Sequence, residues 1–416
     1  MMSGHTGDMA FDWNEAGPSP APSPGGVCFD DETLRDGLQS PSVRHPSLDE
    51  RIGFLELAAS LGITSADVGL PGAGTRAAAD AEALCRAIFD AGLPIVPNCA
   101  ARTVEADIRP ILEIAQRTGR EVEVALFLAS SPIRCHVEGW SLADLLERTE
   151  RWVSFAVRGG APVTFVAEDS TRSHPDDLGQ LYGAAVRAGA RRICIADTTG
   201  QATPLGAFRL AAFVKQTLKE FDAPGVGIDW HGHNDRGLSV ANALGAALGG
   251  ADRLHATALG VGERVGNPPM EQMLVNVRLL GWARPNLSCL GQYAGHASRM
   301  LEVPIATGTP IVGRDAFRTS TGVHASAIAK AGKLGGEALV DRVYSAVPAS
   351  WLGRKQEIAV GPMSGASNVR SWLLERGYQA DEAAVTRILA AAKRADRILT
   401  DGELHALAAG GPPDVR

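Results

Sequence analysis

The sequence predicts an α/β protein: a (β/α)8 TIM barrel followed by a smaller, mostly helical C-terminal accessory domain. Three observations lead there. From Val27 onward, short β-branched or apolar runs alternate with amphipathic helical stretches, the pattern of parallel strands joined by crossover helices. Eight such units recur about every 30 residues and end near Leu280, the count that closes a barrel. After about residue 285 the pattern changes to helices and glycine-rich connections. A doubly wound open sheet shares the local pattern, but no GxGxxG follows the first strand.

The elements follow in order. Residues 1–26, ending in AGPSPAPSPGG, are rich in Pro, Gly and Ser and lack apolar periodicity, so a flexible tail is expected. The barrel is placed at 27–285, and an accessory domain expected to dimerise at 286–416. The strands are read in VCFDDETL, SADVGL, PIVPNCA, EVEVALFLA, PVTFVAED, RRICIADT, VGIDWHGH and RLHATALG. Helices are expected at 49–60, 78–91, 104–116, 142–157, 176–188, 204–219 and 238–248. Several end just before a glycine, where a left-handed residue stops a helix. A last helical region is read at 366–409.

Composition bounds the function. At 416 residues with 45% hydrophobic residues, the chain can bury a large core. No apolar run approaches ~18 residues, so no membrane helix is expected. A net charge of −7 with no basic patch argues against nucleic acid or anionic membrane as a partner. The six cysteines lie far apart, without a CxxC pair, and the N-terminus lacks a signal-peptide pattern. A reduced, cytoplasmic protein is expected.

Barrel enzymes carry their chemistry at the C-terminal ends of strands. The first strand ends in DDETLRDGLQ (30–39), with Arg35 and Asp36 before a glycine turn. The seventh ends in WHGHND (230–235), where His231 and His233, two apart, point to one face. The eighth leads into GVGERVGNP (260–268), with Asn267 in a glycine-rich loop. These three strand ends are near neighbours in a closed barrel. A carboxylate, two imidazoles and an amide oxygen then form a mixed N/O site for Mg²⁺, Mn²⁺ or Zn²⁺ with open positions. Glu263 and Arg264 are expected to order the loop. His45, His136, His174, His255, His296 and His405 lack metal spacing and are read as surface or packing residues.

Together, DETLRDGLQ, HGHND and GVGERVGN resemble the DRE-TIM metallolyase superfamily across residues 27–285. VAEDSTR (166–172) and TGVHASAIAKA (321–331) resemble motifs of its Claisen-condensing branch, which includes 2-isopropylmalate, homocitrate and citramalate synthases. The resemblance implies divalent-metal-dependent condensation of an acyl-CoA, acetyl-CoA by expectation, with a 2-oxo acid, followed by thioester hydrolysis. It implies metal ligation by Asp36, His231 and His233, with Asn267 as fourth ligand or one step removed. Arg35 matches the catalytic arginine, Glu168 the fifth-strand acid and His324 the accessory-domain histidine. Thr198 matches a threonine that touches the oxo-acid carboxylate, and Gln39 and Asp67 fall on the substrate side. A homodimer with exchanged accessory domains is implied as well.

The chemistry agrees with these roles. A 2-oxo acid can chelate a metal that acts as a Lewis acid on its ketone. Arg35 adds fixed positive charge where the alkoxide develops, and His324 or Glu168 could take the methyl proton of the acyl group. Four departures stand out: Leu38 replaces an acid, Ala125 a histidine, Asp67 a glutamate, and Ala325-Ser326-Ala327 a more polar run. They bear on which oxo acid is taken rather than on the reaction type. The alternatives are hydroxymethylglutaryl-CoA lyase-type cleavage and a non-catalytic metabolite-binding barrel. The lyase branch carries a cysteine in the loop after the eighth strand, where this chain reads GVGERVGN. Barrel metallohydrolases place HxH on the first strand rather than the seventh.

Overall fold

In a computed structural model, which describes residues 26–411 and Pro22, eight parallel strands close into a barrel. They are β1 (Cys28–Asp31), β2 (Ser65–Asp67), β3 (Val96–Arg102), β4 (Glu123–Ala129), β5 (Val163–Glu168), β6 (Arg192–Asp197), β7 (Gly227–Gly232) and β8 (Arg253–Ala256). Each falls on a segment read as a strand, with β3 running two residues beyond PIVPNCA to Arg102. Closure is made by β1 against β8, with Asp30 opposite His255. The flexible tail expected at 1–26 lies outside the described residues, apart from Pro22 and Gly26.

Each strand is followed by a helix whose apolar stripe covers the barrel. Helix Leu142–Arg158 buries Leu145, Thr149, Val153 and Ala156, at spacings of one helical turn, and starts at a capping box between Ser141 and Asp144. Helix Glu105–Thr118 stops at Gly119 in the left-handed conformation. Two helices of the barrel were not read from the sequence: the short helix Pro132–Glu138 after β4, capped by Ser131, and Met270–Leu279 after β8.

The described chain divides into two compact units at Pro304/Ile305. Helix Leu290–Leu301, which the expected boundary at 285 left to the accessory domain, packs with the barrel. The buried Tyr293 hydroxyl donates to Asp31 Oδ2 at 2.5 Å, and His296 Nε2 meets the Glu50 carbonyl at 2.8 Å. The second unit holds a two-stranded parallel ribbon, β9 (Arg318–Thr319) with β10 (Glu357–Ile358). It also holds the long helix Gly322–Val343, broken at Gly336. Its core gathers Trp372, Leu373, Ile388, Leu404 and Leu407 from three short helices. Among the described residues no helix is long and apolar enough to cross a membrane.

Candidate metal centre and active site

Period-two alternation decides what faces the barrel lumen. On β7 the even residue Trp230 is fully buried and does not line the cavity, while Asp229 and His231, and His233 just past the strand end, turn inward. The same alternation sends Asn98 and Ala100, Ala125 and Phe127, Thr164 and Val166, Cys194 and Ala196 into one cavity of about 250 Å³ at the lumen. Arg35, Asp36, Gln39, Asp67, Glu168, Thr198 and Glu263 line its rim.

At the mouth, three predicted groups converge. His231 Nε2 and His233 Nε2 are 3.3 Å apart, and Asp36 Oδ2 lies 3.9 Å from the first and 3.8 Å from the second. All three residues are buried. Each ring is oriented from behind. Glu32 Oε2 accepts from His231 Nδ1 at 2.6 Å, and the Gly266 carbonyl accepts from His233 Nδ1 at 3.3 Å. That places the protons on Nδ1 and leaves both Nε2 lone pairs facing one point. Burial and the neighbouring His231 push the His233 imidazole down to about 4.

Asn267 reaches this point through Asp36. Its amide nitrogen donates to Asp36 Oδ2 at 2.7 Å, while its buried Oδ1 has no hydrogen-bond partner. The glycines around it are obligatory: a Cβ on Gly266 (φ +86°) would sit 1.8 Å from the Gly260 carbonyl oxygen, and one on Gly262 would sit 2.2 Å from Asn267 Nδ2. Two aimed lone pairs, a carboxylate oxygen and an orphaned amide oxygen fit a divalent cation. Asp36, His231 and His233 could hold one.

Arg35 is clamped by acids. Nε donates to Asp67 Oδ2 at 2.8 Å, an NH2 proton goes to Glu32 Oε1 at 2.5 Å, and NH1 lies 3.8 Å from Asp36 Oδ1. Burial works against the guanidinium charge, but Glu32, Asp67 and Asp36 outweigh it, so Arg35 stays cationic. Burial pushes the Asp67 carboxyl up to about 7 despite Arg35. Glu168, at the end of β5, is also pushed up by burial, and Arg134 offsets this only in part through a 2.7 Å contact to Oε1. Thr198 Oγ1 accepts from the Asp169 backbone N–H at 2.8 Å, leaving its own hydroxyl proton available. Arg264 orders the β8 loop by donating to Asp235 and to the Thr198 carbonyl, with Glu263 at 3.5 Å. His324 lies in the second unit, exposed in the first turn of helix Gly322–Val343, its ring centroid 4.1 Å from that of Tyr344.

Two residues passed over in the sequence belong to this assembly. His255, read as surface or packing, is buried in the lumen between Glu32 Oε1 and Asp229 Oδ2, 3.0 Å from each. Burial opposes its charge, yet Glu32 and Asp229 prevail and raise it to about 10. Glu32, given no role in the site from the sequence, touches Arg35, His231 and His255 together. The alternation in RLHATALG already placed Arg253 and His255 on one face of β8. Nothing in it showed that this face would be the polar lumen.

The sequence profile of the HMGL-like family matches residues 27–290. The chain belongs to the HMGL-like (DRE-TIM) family. Among its relatives, a homocitrate synthase AksA of Methanopyrus kandleri is 30% identical over 88% of this chain and 87% of its own length. A 2-isopropylmalate synthase of Pyrococcus furiosus is 30% identical over 91% and 74%. A hydroxymethylglutaryl-CoA lyase structure from Bacillus subtilis superposes with a TM-score of 0.57 at 18% identity, over 69% of this chain and 97% of that one. At that identity the HMGL-like likeness to the lyase is one of fold.

Proposed function

We propose that this HMGL-like protein condenses an acyl-CoA, with acetyl-CoA as the first candidate, with a 2-oxo acid and then hydrolyses the CoA thioester. The observation that carries the reading is the convergence of His231 Nε2, His233 Nε2 and Asp36 Oδ2 beside a clamped Arg35. A divalent cation held there would supply Lewis-acid polarisation of the keto group.

The residues take the remaining steps. The free hydroxyl proton of Thr198 donates to the oxo-acid carboxylate. A base removes a proton from the acyl methyl group, and the carbon pair attacks the keto carbon. Glu168, its carboxyl raised by burial, serves as that base or returns the proton, with His324 sharing the relay. Arg35 holds fixed positive charge beside the oxygen on which negative charge develops, and Asp67 and Glu32 keep its guanidinium in place. Water then cleaves the thioester, releasing free CoA and the branched hydroxy acid.

Names of relatives support this chemistry, and the β8 loop offers no thiol for a cleavage mechanism. The test is a thiol-release assay with acetyl-CoA against pyruvate, 2-oxoisovalerate, 2-oxoglutarate and oxaloacetate. Thiol release that depends on one oxo acid supports the reading. No release with any of them, alongside cleavage of hydroxymethylglutaryl-CoA, would replace it.

A further inference from the structure

The lumen below the candidate metal centre holds a second, polar cluster that links Arg35 and His231 to the barrel interior. Glu32 sits at its centre, 4% exposed, with both carboxylate oxygens engaged. Oε2 accepts from His231 Nδ1 at 2.6 Å, while Oε1 accepts from Arg35 NH2 at 2.5 Å and from His255 Nδ1 at 3.0 Å. His255 is itself spanned, its Nε2 facing Asp229 Oδ2 at 3.0 Å. Asp229 is held in turn by Arg192 Nε at 2.5 Å and Arg253 Nε at 2.7 Å.

Resting on the reading of Asp36, His231 and His233 as a cation site, we propose that Glu32 is a positioning residue that locks the His231 ring and the Arg35 guanidinium into one rigid geometry, with His255 as its brace. The alternative use of the same atoms is a second cation site formed by Glu32, His231 and His255, which also lie close enough to one another. The contacts favour positioning. Both His255 nitrogens are turned to carboxylates, so neither presents a lone pair to a metal. His231 spends Nδ1 on Glu32 and has only Nε2 to give, and that atom faces His233. The chain therefore takes one cation at the barrel mouth, and Glu32 sets how well it is held.

A carboxylate that accepts the outer N–H of a ligating histidine fixes its tautomer and strengthens it as a ligand. Here one carboxylate does this and also aligns the cationic arm beside the reacting oxygen. Losing it should disturb cation affinity and oxo-acid binding together, and leave acyl-CoA binding alone.

The test is calorimetric titration of Mn²⁺ into the chelator-stripped full chain. The wild-type protein should bind one Mn²⁺ per chain. Glu32→Gln should weaken that binding by about 10–100-fold, lower kcat and raise KM for the oxo acid, with KM for acyl-CoA unchanged. Glu32→Asp keeps the charge but withdraws it by one methylene, so it should weaken Mn²⁺ in the same direction. It takes over the test if Glu32→Gln does not fold. Two Mn²⁺ per wild-type chain, or unchanged affinity in a folded Glu32 variant, overturns the proposal. If Mn²⁺ binding follows the expected pattern but no oxo acid releases thiol, the condensation reading falls and the positioning role stands. If thiol is released while Mn²⁺ affinity ignores Glu32, the reverse holds.

Discussion

His231 and His233 aim their Nε2 atoms at each other across 3.3 Å, with both Nδ1 atoms already committed to Glu32 and the Gly266 carbonyl. With Nδ1 of each ring turned to an acceptor, the two Nε2 atoms face one point, an arrangement that a shared cation satisfies. His231→Ala and Asp36→Ala should each abolish bound metal and thiol release while the chain still folds, because neither side chain belongs to the apolar core. Metal analysis of the purified variants, beside their circular dichroism, checks this. Full occupancy in both would remove the assignment.

The cavity wall constrains the oxo acid. Ala100, Ala125, Phe127, Val166 and Ala196 form its apolar side, and Arg35, Arg253 and His255, which reach it, are already paired: Arg35 with Glu32 and Asp67, Arg253 with Glu123 and Asp229, His255 with Glu32 and Asp229. A second carboxylate on the substrate would be buried without a partner, at a cost of several kcal/mol. The kcat/KM for 2-oxoisovalerate should exceed that for 2-oxoglutarate by at least about 100-fold, given that cost. Comparable values would mean that the wall opens or that one ion pair yields.

Glu168 and Arg134 should be separable by pH. Burial raises the Glu168 carboxyl and Arg134 lowers it. Arg134→Ala removes the lowering influence, so the acid limb of the kcat/KM profile should move to higher pH. If the limb stays in place, Glu168 is not the group that titrates there.

Glu271 lies behind the β8 loop, fully buried. Oε2 accepts from the backbone N–H of Leu259, a residue held at φ +57°, and Oε1 has no partner. Burial raises its carboxyl to about 7 from an ordinary value of 4.5. The folded state thus binds the proton more tightly than the unfolded chain does. This group's contribution favours folding at low pH and is lost as pH rises through roughly 4.5 to 7. Glu271→Gln mimics the protonated form and should gain on the wild type over that window, by at most about 3 kcal/mol. Urea unfolding of both proteins at pH 5 and pH 8 measures the difference. An equal gap at the two pH values would show that Glu271 does not titrate there.

The proposed relay through His324 has a genetic form. If the protein dimerises and His324 serves the partner's barrel, then mixing inactive Arg35→Ala and His324→Ala chains with subunit exchange should restore about a quarter of wild-type activity at random pairing. If each chain serves itself, the mixture stays inactive.

The sequence by itself determined the barrel and the line of its mouth. Strand and helix periods differ, so β1 to β8 and the seven helices read between them were legible one by one, and the eightfold count implied closure. Local spacing was enough to bring His231 and His233 to one face and to set Asp36 and Asn267 at neighbouring strand ends. Only the tertiary structure decided what each ring nitrogen faces. Glu32 and His255 are 223 positions apart, and their contact exists because β1 closes against β8 in one register. No local pattern encodes that register. The same closure turned Arg253, Asp229 and Glu123 into a paired polar floor where barrel interiors are usually aliphatic. Charges become tolerable at such depth only through partners supplied by distant strands, and alternation along one strand cannot name them.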